Sequence, residues 1–391
     1  MRRAEVVVVG GGPAGSTCAR DLRRAGMDVL VVDRARFPRD KVCAGWITPA
    51  VVDALGLDLD HYAAGRTLQV IKAFRTAAVG GREVRTAFER PVSYAIRRCE
   101  FDDYLLERSG ARLLLGTPVV QLHREGRAWI VNEAIEARLV VGAGGHFCPV
   151  AHRLNPGRDD GPVVAAQEVE VRLSAAQQAA CRVDGEAPAL YFCLDRRGYG
   201  WAVRKGEFLN VGFGRLADRG FAGQARAFGE FLLQRHLVPD DLPAAWNGHA
   251  YRLHAAPRRR VCDDGALLVG DAAGLAYPVS GEGILTAVES GRLAARAILG
   301  AAGDYTRAGL SSYEDLLDQR YGPPAPMRDR RGLLPSWAVS WAGAGLLRSR
   351  WFARHVLLQR WFLHQFQAPL EDAGTPMVVA DPVRRRRASY G

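Results

Sequence analysis

The chain has 391 residues, which is long enough for two or three substructures with separate cores. Apolar residues make up 48% and charged residues 24%, the balance of an ordinary soluble enzyme. The formal net charge of +11 rests almost entirely on arginine, because lysine occurs only at Lys41, Lys72 and Lys205. A diffuse basic surface and attraction to pyrophosphates or anionic lipids both agree with this charge, and nothing in the sequence resembles a nucleic-acid module.

Cysteine usage and hydropathy indicate a soluble protein from a reducing compartment. The seven cysteines are scattered and form no CxxC pair, which argues against a disulfide framework and against a zinc site. The longest uncharged stretch, from Gly332 to Leu347, is interrupted by Pro335 and by glycines, so it falls short of a membrane span. We expect a cytoplasmic protein, at most peripheral to the inner face of the membrane.

A strand, a helix and a second strand are predicted at the start of the chain. Val6 to Val9 is a wholly apolar, β-branched run, typical of a central strand in a parallel sheet. The helix that follows is predicted to run through Ala25 and to end at Gly26. The second strand, Val29 to Val32, leads to Asp33.

The turn between the first strand and the helix reads GGGPAG, from Gly10 to Gly15, and satisfies the GxGxxG pattern. Gly10 permits a tight turn, Gly12 lets the backbone approach a pyrophosphate, and Gly15 permits close helix packing. The helix start attracts phosphates, and Asp33 can accept a hydrogen bond from a ribose hydroxyl. The unit predicts a dinucleotide site, although the pattern alone does not distinguish FAD from NAD(P).

The middle of the chain predicts an antiparallel sheet. Charged and apolar residues alternate from 168 to 173, as in a strand with one wet face. Strands are predicted at 190–194, 201–204 and 208–214, with turns at 197–200 and 205–207. Aromatic side chains of these strands can form an apolar wall, although core packing accounts for at least half of them: Tyr191, Phe192, Tyr199, Trp201 and Phe208.

A second glycine-rich corner follows at residues 265–284. GALLVGDAAG predicts a buried strand that ends at Gly270 and Asp271, and a helix is predicted from about Ile284 to about Leu299. A helix start preceded by small residues suits the pyrimidine end of a flavin, because backbone amides and the helix dipole stabilise the negative charge of the reduced ring.

The C-terminal region is rich in tryptophan and arginine. Residues 332–366 predict two amphipathic helices, which pack on the main body, cap an apolar tunnel or contact a membrane surface. The tail around Arg384 to Arg387 is predicted to be a disordered basic end.

Taken together, these motifs resemble those of FAD-dependent geranylgeranyl reductases, in the aromatic-hydroxylase-like flavoprotein superfamily. GDAAG followed by PVSGEGI is similar to the Gly-Asp motif of that family, and RCEFD at 98–102 with Leu105 is similar to its RxxFDxxL helix start. The resemblance extends from the start to about Tyr321. It implies an α/β fold: a Rossmann-like FAD-binding domain, whose parallel sheet carries a three-stranded β-meander, an antiparallel β-sheet substrate domain and a helical C-terminus.

The resemblance also implies roles for individual residues. Asp271 would hold the ribityl chain, Arg98 would reach the FAD, and FPRDKVCAGW at 37–46 would form the loop over the flavin, with Cys43 near the ring. The catalytic candidates are Cys43, Tyr199 and Trp201, and no metal site is expected. The cofactor-binding candidates are Gly10, Gly12, Pro13, Ala14, Gly15, Asp33, Arg34, Cys43, Ala44, Arg98, Gly270, Asp271, Pro278, Gly281, Gly283 and Ile284.

The sequence departs from the family pattern at two places. Gly144 stands where the strand ending GADG has its aspartate, and Arg204 stands where the GYGWxFP segment ends in proline. That segment is also similar to the WxWxIP signature of flavin halogenases, but its first tryptophan and its proline are missing, and Lys72 lacks the surroundings of a halogenase lysine. Halogenation is therefore disfavoured.

The predicted domains interleave along the chain. The FAD-binding domain comprises residues 1–60, 96–155 and 256–320, the substrate domain comprises 61–95 and 156–255, and residues 321–391 form the C-terminal helical region with its tail. The expected partners are a hydrophobic small-molecule substrate and, through the C-terminal helices, a peripheral membrane surface.

The leading hypothesis is an FAD-dependent oxidoreductase that reduces C=C bonds in a prenyl or similar apolar chain. NAD(P)H would visit transiently as the reductant, because the sequence contains one dinucleotide fingerprint. The alternative is a monooxygenase that uses NAD(P)H and O2 to hydroxylate a phenolic or polyketide substrate. A halogenase and a non-catalytic prenyl-binding escort protein are less favoured, the latter because escorts lose parts of the flavin site that this chain retains.

Overall fold

The computed structural model describes residues 1–157, 161–218, 220–326, 343 and 345–370. In chain order the strands of these residues are β1 (Arg2–Val9), β2 (Val29–Asp33), β3 (Trp46–Ile47), β4 (Leu68–Ile71), β5 (Ala73–Ala78), β6 (Val84–Ala87), β7 (Ser93–Ile96), β8 (Arg112–Leu115), β9 (Leu122–Glu125), β10 (Ala128–Val131), β11 (Ile135–Gly142), β12 (Val163–Arg172), β13 (Ala189–Phe192), β14 (Gly198–Lys205), β15 (Phe208–Leu216), β16 (Asn247–Arg252), β17 (Cys262–Asp263) and β18 (Ala266–Leu268).

The helices surround three sheets. They are α1 (Pro13–Arg24), α2 (Pro49–Leu55), α3 (Leu59–Ala63), α4 (Arg98–Arg108), α5 (Pro149–Leu154), α6 (Ala175–Ala180), α7 (Phe221–Gln234), α8 (Ile284–Gly300), α9 (Ser312–Tyr321) and α10 (Arg350–Phe352), which continues as a π-helical segment, Ala353–Phe362. None of the described helices is long and apolar enough to cross a membrane.

The first sheet is mainly parallel and carries the glycine-rich corners. Its strands lie in the order β17-β18-β11-β1-β2-β8, and each neighbouring pair is parallel except β17 with β18. Strand β10 pairs antiparallel with β11 on one side and with β9 on the other, which forms the expected three-stranded meander. The central strands are buried on both faces, which explains why β1 and β2 read as continuous apolar runs.

Helix α1 begins and ends close to the predicted residues. Pro13 occupies the first turn, where its missing N–H costs nothing, and Gly26 has φ +86°, the left-handed conformation of a helix stop. Helix α8 packs across α1 at Gly291, where a β-carbon would overlap the carbonyl oxygen of Ala14. This contact lets the two helices approach closely and brings the starts of both to the same side of the sheet.

The second sheet is mainly antiparallel and has seven strands. Its strands lie in the order β16-β12-β15-β14-β13-β5-β6, and all pairs are antiparallel except β13 with β5. Residues 73–87 therefore join a sheet otherwise built from residues 163–252. A third, small sheet has the order β3-β7-β4. The interleaved domain boundaries given above stay a prediction.

One predicted turn is wrong. Residues 198–200 belong to β14 and pair with β13 and β15 instead of forming a turn. A β-carbon at Gly200 would overlap the ring of Phe228 in α7, so glycine is needed here for close packing, as in other strand interiors. The turn at 205–207 is confirmed, with Gly206 at φ +59° between β14 and β15.

The described part of the C-terminal region packs on the main body. Leu357, Leu358 and Phe362 of the π-helical segment are buried in one apolar cluster with Trp46 and Trp201. Trp351 is exposed in α10, just before this segment. Of the predicted amphipathic helices, most of the first lies outside the described residues, as does the basic tail.

The helix contact at Gly291 generates a stability prediction. We expect Gly291→Ala to lower the free energy of unfolding by about 1–3 kcal/mol, because the added methyl group pushes α8 away from α1. Gly300→Ala, at the open end of the same helix, is the matched control, since nothing surrounds its β-carbon. Urea denaturation of both variants measures the difference, and equal stability would contradict the close approach.

Candidate functional site

A large cavity lies where the carboxyl ends of the parallel strands face the second sheet. Its volume is about 890 Å³. The parallel sheet contributes the ends of β1, β2 and β18 with the loops that follow them, and the second sheet contributes Tyr199, Trp201 and Tyr251. Ligands of open α/β sheets bind at this edge, because helix starts and glycine turns converge there.

The structure brings together most of the residues that the sequence analysis selected. The cavity is lined by Gly10, Gly12, Pro13, Ala14, Asp33, Arg34, Cys43, Ala44, Arg98, Tyr199, Trp201, Asp271, Gly281, Gly283 and Ile284. Gly15 and Gly270 pack behind the lining: a β-carbon at Gly15 would overlap the Gly10 carbonyl, and one at Gly270 would lie 3.1 Å from Cβ of Ala14. Pro278 is exposed and does not line the cavity.

Asp33 stabilises the glycine turn by side-chain hydrogen bonds. Its Oδ2 accepts a hydrogen bond from the backbone N–H of Gly11 at 2.7 Å, and its Oδ1 accepts from that of Ala35 at 2.8 Å. The carboxylate therefore joins the end of β2 to the turn after β1 while one side faces the cavity. The proposed contact with a ribose hydroxyl stays a prediction.

Arg98 is held in place by a buried carboxylate. Its guanidinium donates two hydrogen bonds of 2.7 Å to Asp102, one turn along α4, and Arg39 Nη2 lies 3.1 Å from Oδ2 of the same aspartate. Burial alone would lower the pKa of Arg98, but the charge of Asp102 and the hydrogen bonds to it raise that pKa above its usual value. One fully buried carboxylate thus orients two positive groups on the cavity wall.

The pair of Asp271 and His249 forms a second electrostatic centre. The carboxylate Oδ2 lies 3.7 Å from His249 Nε2, a distance longer than a hydrogen bond. Burial raises the pKa of Asp271, but His249 and the positive charges of Lys41 and Arg98 outweigh it and leave that pKa below its usual value. Burial lowers the pKa of Lys41 to about 8. Asp271 is therefore an anion near a lysine that is still largely protonated at pH 7.

Four buried polar atoms of the cavity wall have no hydrogen-bond partner among the described residues. They are Arg39 Nη1, His146 Nδ1, His249 Nε2 and Glu282 Oε2. A buried polar group without a partner costs about 1–3 kcal/mol, so such atoms in a cavity wall mark where a polar ligand completes the structure. The donors suit phosphate and hydroxyl oxygens, and the helix start at Pro13 offers backbone N–H groups to a pyrophosphate. These residues fit FAD.

A buried network connects the second sheet to the loop that carries Cys43. The Asn210 side chain accepts a hydrogen bond from Trp201 Nε1 at 2.7 Å and donates to the Cys43 carbonyl at 3.3 Å and to Glu168 at 3.2 Å. Burial raises the pKa of Glu168 to about 7. Asn210 therefore sets the position of two cavity residues, Trp201 and Cys43, at once.

Lys205 also supports the loop that carries Cys43. Its ammonium is fully buried and contacts Glu170 Oε2 at 2.6 Å. Gly45 packs directly against it, since a β-carbon there would overlap the Lys205 ammonium. The loop over the cavity is therefore held by the ion pair of Lys205 (β14) with Glu170 (β12) and by the side-chain amide of Asn210 (β15).

An aromatic wall closes the cavity opposite the glycine turns. Tyr199 donates its hydroxyl hydrogen to the Ser280 carbonyl at 2.8 Å, which joins β14 to the loop before α8. Phe362 of the C-terminal π-helical segment also lines the cavity, with ring centroids 5.3 Å from Tyr199 and 6.4 Å from Trp46. The apolar part of the cavity is therefore assembled from three distant regions of the chain.

Several lining residues were missed by the sequence analysis. Lys41 was included in the loop expected over the flavin but was given no role of its own. No strand was predicted around His249 and Tyr251, which both line the cavity on β16. The alternation of these two residues in NGHAYR was the available signal. Lys72, considered as a halogenase lysine, pairs with Glu186 on the surface at 3.2 Å and does not line the cavity.

Comparisons with known proteins agree with this geometry. The family model described as "FAD binding domain" matches residues 3–317. The chain is 31% identical to a menaquinone reductase of Mycobacterium tuberculosis strain H37Rv, over 85% of this chain and 84% of the relative. It is 32% identical to digeranylgeranylglycerophospholipid reductase 2 of Methanopyrus kandleri, over 81% of this chain and 83% of the relative.

Solved structures show the same fold. A geranylgeranyl bacteriochlorophyll reductase-like protein from Thermoplasma acidophilum superposes with a TM-score of 0.70 at 21% identity, covering 89% of this chain and 91% of the other. PqsL of Pseudomonas aeruginosa, a probable FAD-dependent monooxygenase, superposes with a TM-score of 0.62 at 20% identity, covering 90% and 98%. The fold is therefore shared by reductases and monooxygenases.

Fold, cavity and family match define a flavoprotein oxidoreductase. The chain belongs to the FAD-binding-domain family, and FAD is its cofactor. Its similarity to geranylgeranyl reductases, expected from the motifs, is confirmed by relatives named as reductases of menaquinone and of a digeranylgeranyl phospholipid.

The Asn210 network generates a prediction. We expect Asn210→Leu to lower the free energy of unfolding by about 1–3 kcal/mol, because Trp201 Nε1 and the Cys43 carbonyl lose their buried partner. Trp201 fluorescence should also report a more mobile indole. Asn247→Leu, at an exposed position of β16, is the control. An Asn210 variant as stable as this control would contradict the network's positioning role.

Proposed function

We propose that the chain is an FAD-dependent reductase of C=C bonds in a prenyl or similar apolar chain. The observation that carries the proposal is that the polar residues suited to FAD and a group of aromatic side chains, here called the aromatic compartment, line the same cavity. Tyr199, Trp201, Trp46, Tyr251 and Phe362 form that compartment, which suits an alkene chain better than a charged substrate. The names of the two similar reductases, of menaquinone and of a digeranylgeranyl phospholipid, support the same substrate class.

In this proposal bound FAD supplies hydride transfer, and the chain supplies binding, orientation and exclusion of water. Asp271 holds the ribityl hydroxyls, Asp33 the ribose, and the turn from Gly10 to Gly15 the pyrophosphate. Arg98 and Arg39, oriented by Asp102, neutralise phosphate charge. Cys43 and Trp201, positioned by Asn210, border the space where an alkene contacts the ring. NAD(P)H is the proposed transient reductant.

Peripheral membrane contact is part of the same proposal. Prenyl lipids reside in bilayers, and near the C-terminal end of the described chain Leu346, Trp351 and Phe366 are exposed. Arg348, Arg350 and Arg354 lie in the same stretch and can contact anionic head groups. Such a surface lets a long apolar substrate enter the cavity directly from the lipid phase.

Hydroxylation is the second candidate, because a probable monooxygenase shares the fold. Hydroxylation requires O2, whereas reduction of a C=C bond does not. We expect the purified protein, with NADPH or dithionite under strict anaerobiosis, to saturate double bonds of menaquinone or of a geranylgeranyl ether phospholipid, detected by mass spectrometry as a gain of hydrogen. Product that requires O2 and gains oxygen would contradict the reductase proposal and support the hydroxylase.

The role of Asp271 gives a binding prediction. We expect Asp271→Ala to raise the Kd for FAD about tenfold or more, because a charge-assisted hydrogen bond to a ribityl hydroxyl is worth about 1.5–3 kcal/mol. Equilibrium titration of the apoprotein with FAD measures the change. Asp240→Ala, at an exposed position away from the cavity, is the control. An unchanged Kd would show that Asp271 does not hold the cofactor.

The role of Cys43 gives a kinetic prediction. We expect Cys43→Ala to keep its FAD and to reduce turnover of the prenyl lipid about tenfold or more, because the thiol borders the reacting space. Cys193→Ala, at a thiol outside the cavity lining, is the control. A fully active, FAD-loaded Cys43→Ala protein would exclude Cys43 from the reaction.

A further inference from the structure

Glu282 lies in the cavity wall with one carboxylate oxygen bonded and the other without a partner. Oε1 accepts a hydrogen bond of 2.7 Å from the backbone N–H of Leu285, in the first turn of α8. Oε2 is buried and has no hydrogen-bond partner among the described residues. The side chain is 10% exposed. A buried carboxyl group in this position is destabilised as an anion and favoured as an acid.

His364 approaches Glu282 from the C-terminal segment and does not line the cavity. Its Nε2 lies 4.0 Å from Glu282 Oε2 and also lacks a hydrogen-bond partner among the described residues. The imidazole stacks on Tyr277, with ring centroids 3.8 Å apart and an angle of 23° between the planes. Its backbone has φ +47°, a conformation uncommon for residues other than glycine. The fold therefore holds this imidazole in a defined place beside the carboxyl group.

Burial and the nearby negative charges favour the protonated form of Glu282 below about pH 7. Burial, together with the negative charges of Glu289 and Asp271, raises the pKa of Glu282 to about 7 against the opposing effect of the backbone N–H groups at the start of α8. Burial lowers the pKa of His364 to about 4. Between these values the pair holds one proton, on the carboxyl group, beside a neutral imidazole.

The other polar groups that face the pair leave this state intact. Tyr199 and Tyr277 lie beside Glu282, and burial raises the pKa of both phenols, so both are neutral. Arg320 is paired with Glu289 by two hydrogen bonds, which directs its charge to that carboxylate. Lys41 faces Asp271 instead.

We propose that Glu282 is the proton donor of the reduction and that His364 is the positioning residue that returns a proton to it. The inference rests on the proposed function, because reduction of a C=C bond requires one hydride and one proton. It assigns to Glu282 a chemical role that the glycine motif around it does not describe. Among the described lining residues, Glu282 is the buried carboxyl group with an oxygen left for substrate.

The step balances as follows. One alkene carbon receives a hydride, with its two electrons, from the reduced flavin, which is oxidised. The π-electron pair of the double bond forms a C–H bond at the other carbon with the proton of Glu282, whose O–H bond breaks. Glu282 is left as a carboxylate. A proton from solvent, passed through the His364 imidazole, restores the acid, and NAD(P)H or dithionite restores the reduced flavin.

Infrared spectroscopy tests the protonation state without turnover. We expect pH-difference spectra of the FAD-loaded protein to contain carboxylic-acid C=O bands that titrate at about pH 7, from Glu282 and Glu168. Glu282→Gln should remove one band, and Glu168→Gln should remove the other and leave that of Glu282. A Glu168→Gln protein with no carboxyl band that titrates above about pH 6 would overturn the proposal, even if Glu282→Gln did not fold.

Kinetics tests the proton transfer. The probe is menaquinone, mixed anaerobically with protein whose FAD has been reduced by dithionite. We expect Glu282→Gln to slow single-turnover saturation about 100-fold or more with FAD content unchanged, and Glu282→Asp to recover part of the rate. The wild-type rate should fall above about pH 7, as the acid form is lost. Glu230→Gln, at an exposed residue of α7, is the control.

His364→Gln separates delivery of the proton from its return. We expect this variant to keep a single-turnover rate close to wild type, because Glu282 is already protonated, and to slow under steady-state turnover. A purely structural role would change both rates together, and that result would overturn the assignment of His364. A wild-type rate in Glu282→Gln would overturn the assignment of Glu282 and leave the reductase proposal standing. A wild-type protein that does not reduce menaquinone leaves the infrared test of Glu282 valid and counts against the proposed function.

Discussion

The structure depends on the meeting of two glycine corners that are far apart in the chain. Strands β1 and β18 flank β11 in the parallel sheet, so their carboxyl ends open on the same edge. The contact of Gly291 with Ala14 brings α8 against α1, and Gly270 also packs close to Ala14. Each corner alone is an ordinary strand-turn-helix. Together they line one cavity of about 890 Å³.

The cavity that results has a charged end and a nearly neutral end. At the charged end Asp102 orients Arg39 and Arg98, and Asp271 lies opposite His249. At the aromatic end, the rings of Tyr199 and Phe362 contact each other edge to face. The nearby Glu282, whose pKa is raised by burial, has no cation paired with it among the described residues. Since the field at each end acts in a low-dielectric space, one cavity can bind phosphates and still accept an apolar chain.

The sequence predicted the parts of the fold that local patterns specify. The first strand, α1 and its end at Gly26, the strand before Asp271 and the start of α8 all follow from apolar runs, proline and glycine. Gly198 and Gly200 were misread as a turn, because a glycine needed for packing against Phe228 looks the same in sequence as a glycine needed for a turn.

The electrostatics of the cavity could not be predicted in this way. His249, Glu282 and His364 come from three separate segments, and their roles depend on distances of 3.7–4.0 Å that only the folded chain creates. Motif similarity named the residues whose backbone or carboxylate contacts the cofactor in the family. It included Lys41 in the loop over the flavin without giving it a role, and it did not include Asn210. The importance of both comes from burial and from groups on other parts of the chain.

The central claim is that both corners bind one FAD per chain. Spectrophotometric and calorimetric titration of the apoprotein with FAD tests it most directly. The account predicts saturation at one FAD per chain, with the visible flavin band shifted and its fluorescence quenched on transfer into the aromatic-lined cavity. A titration that shows no binding, or binding with the free-flavin spectrum retained, would contradict it.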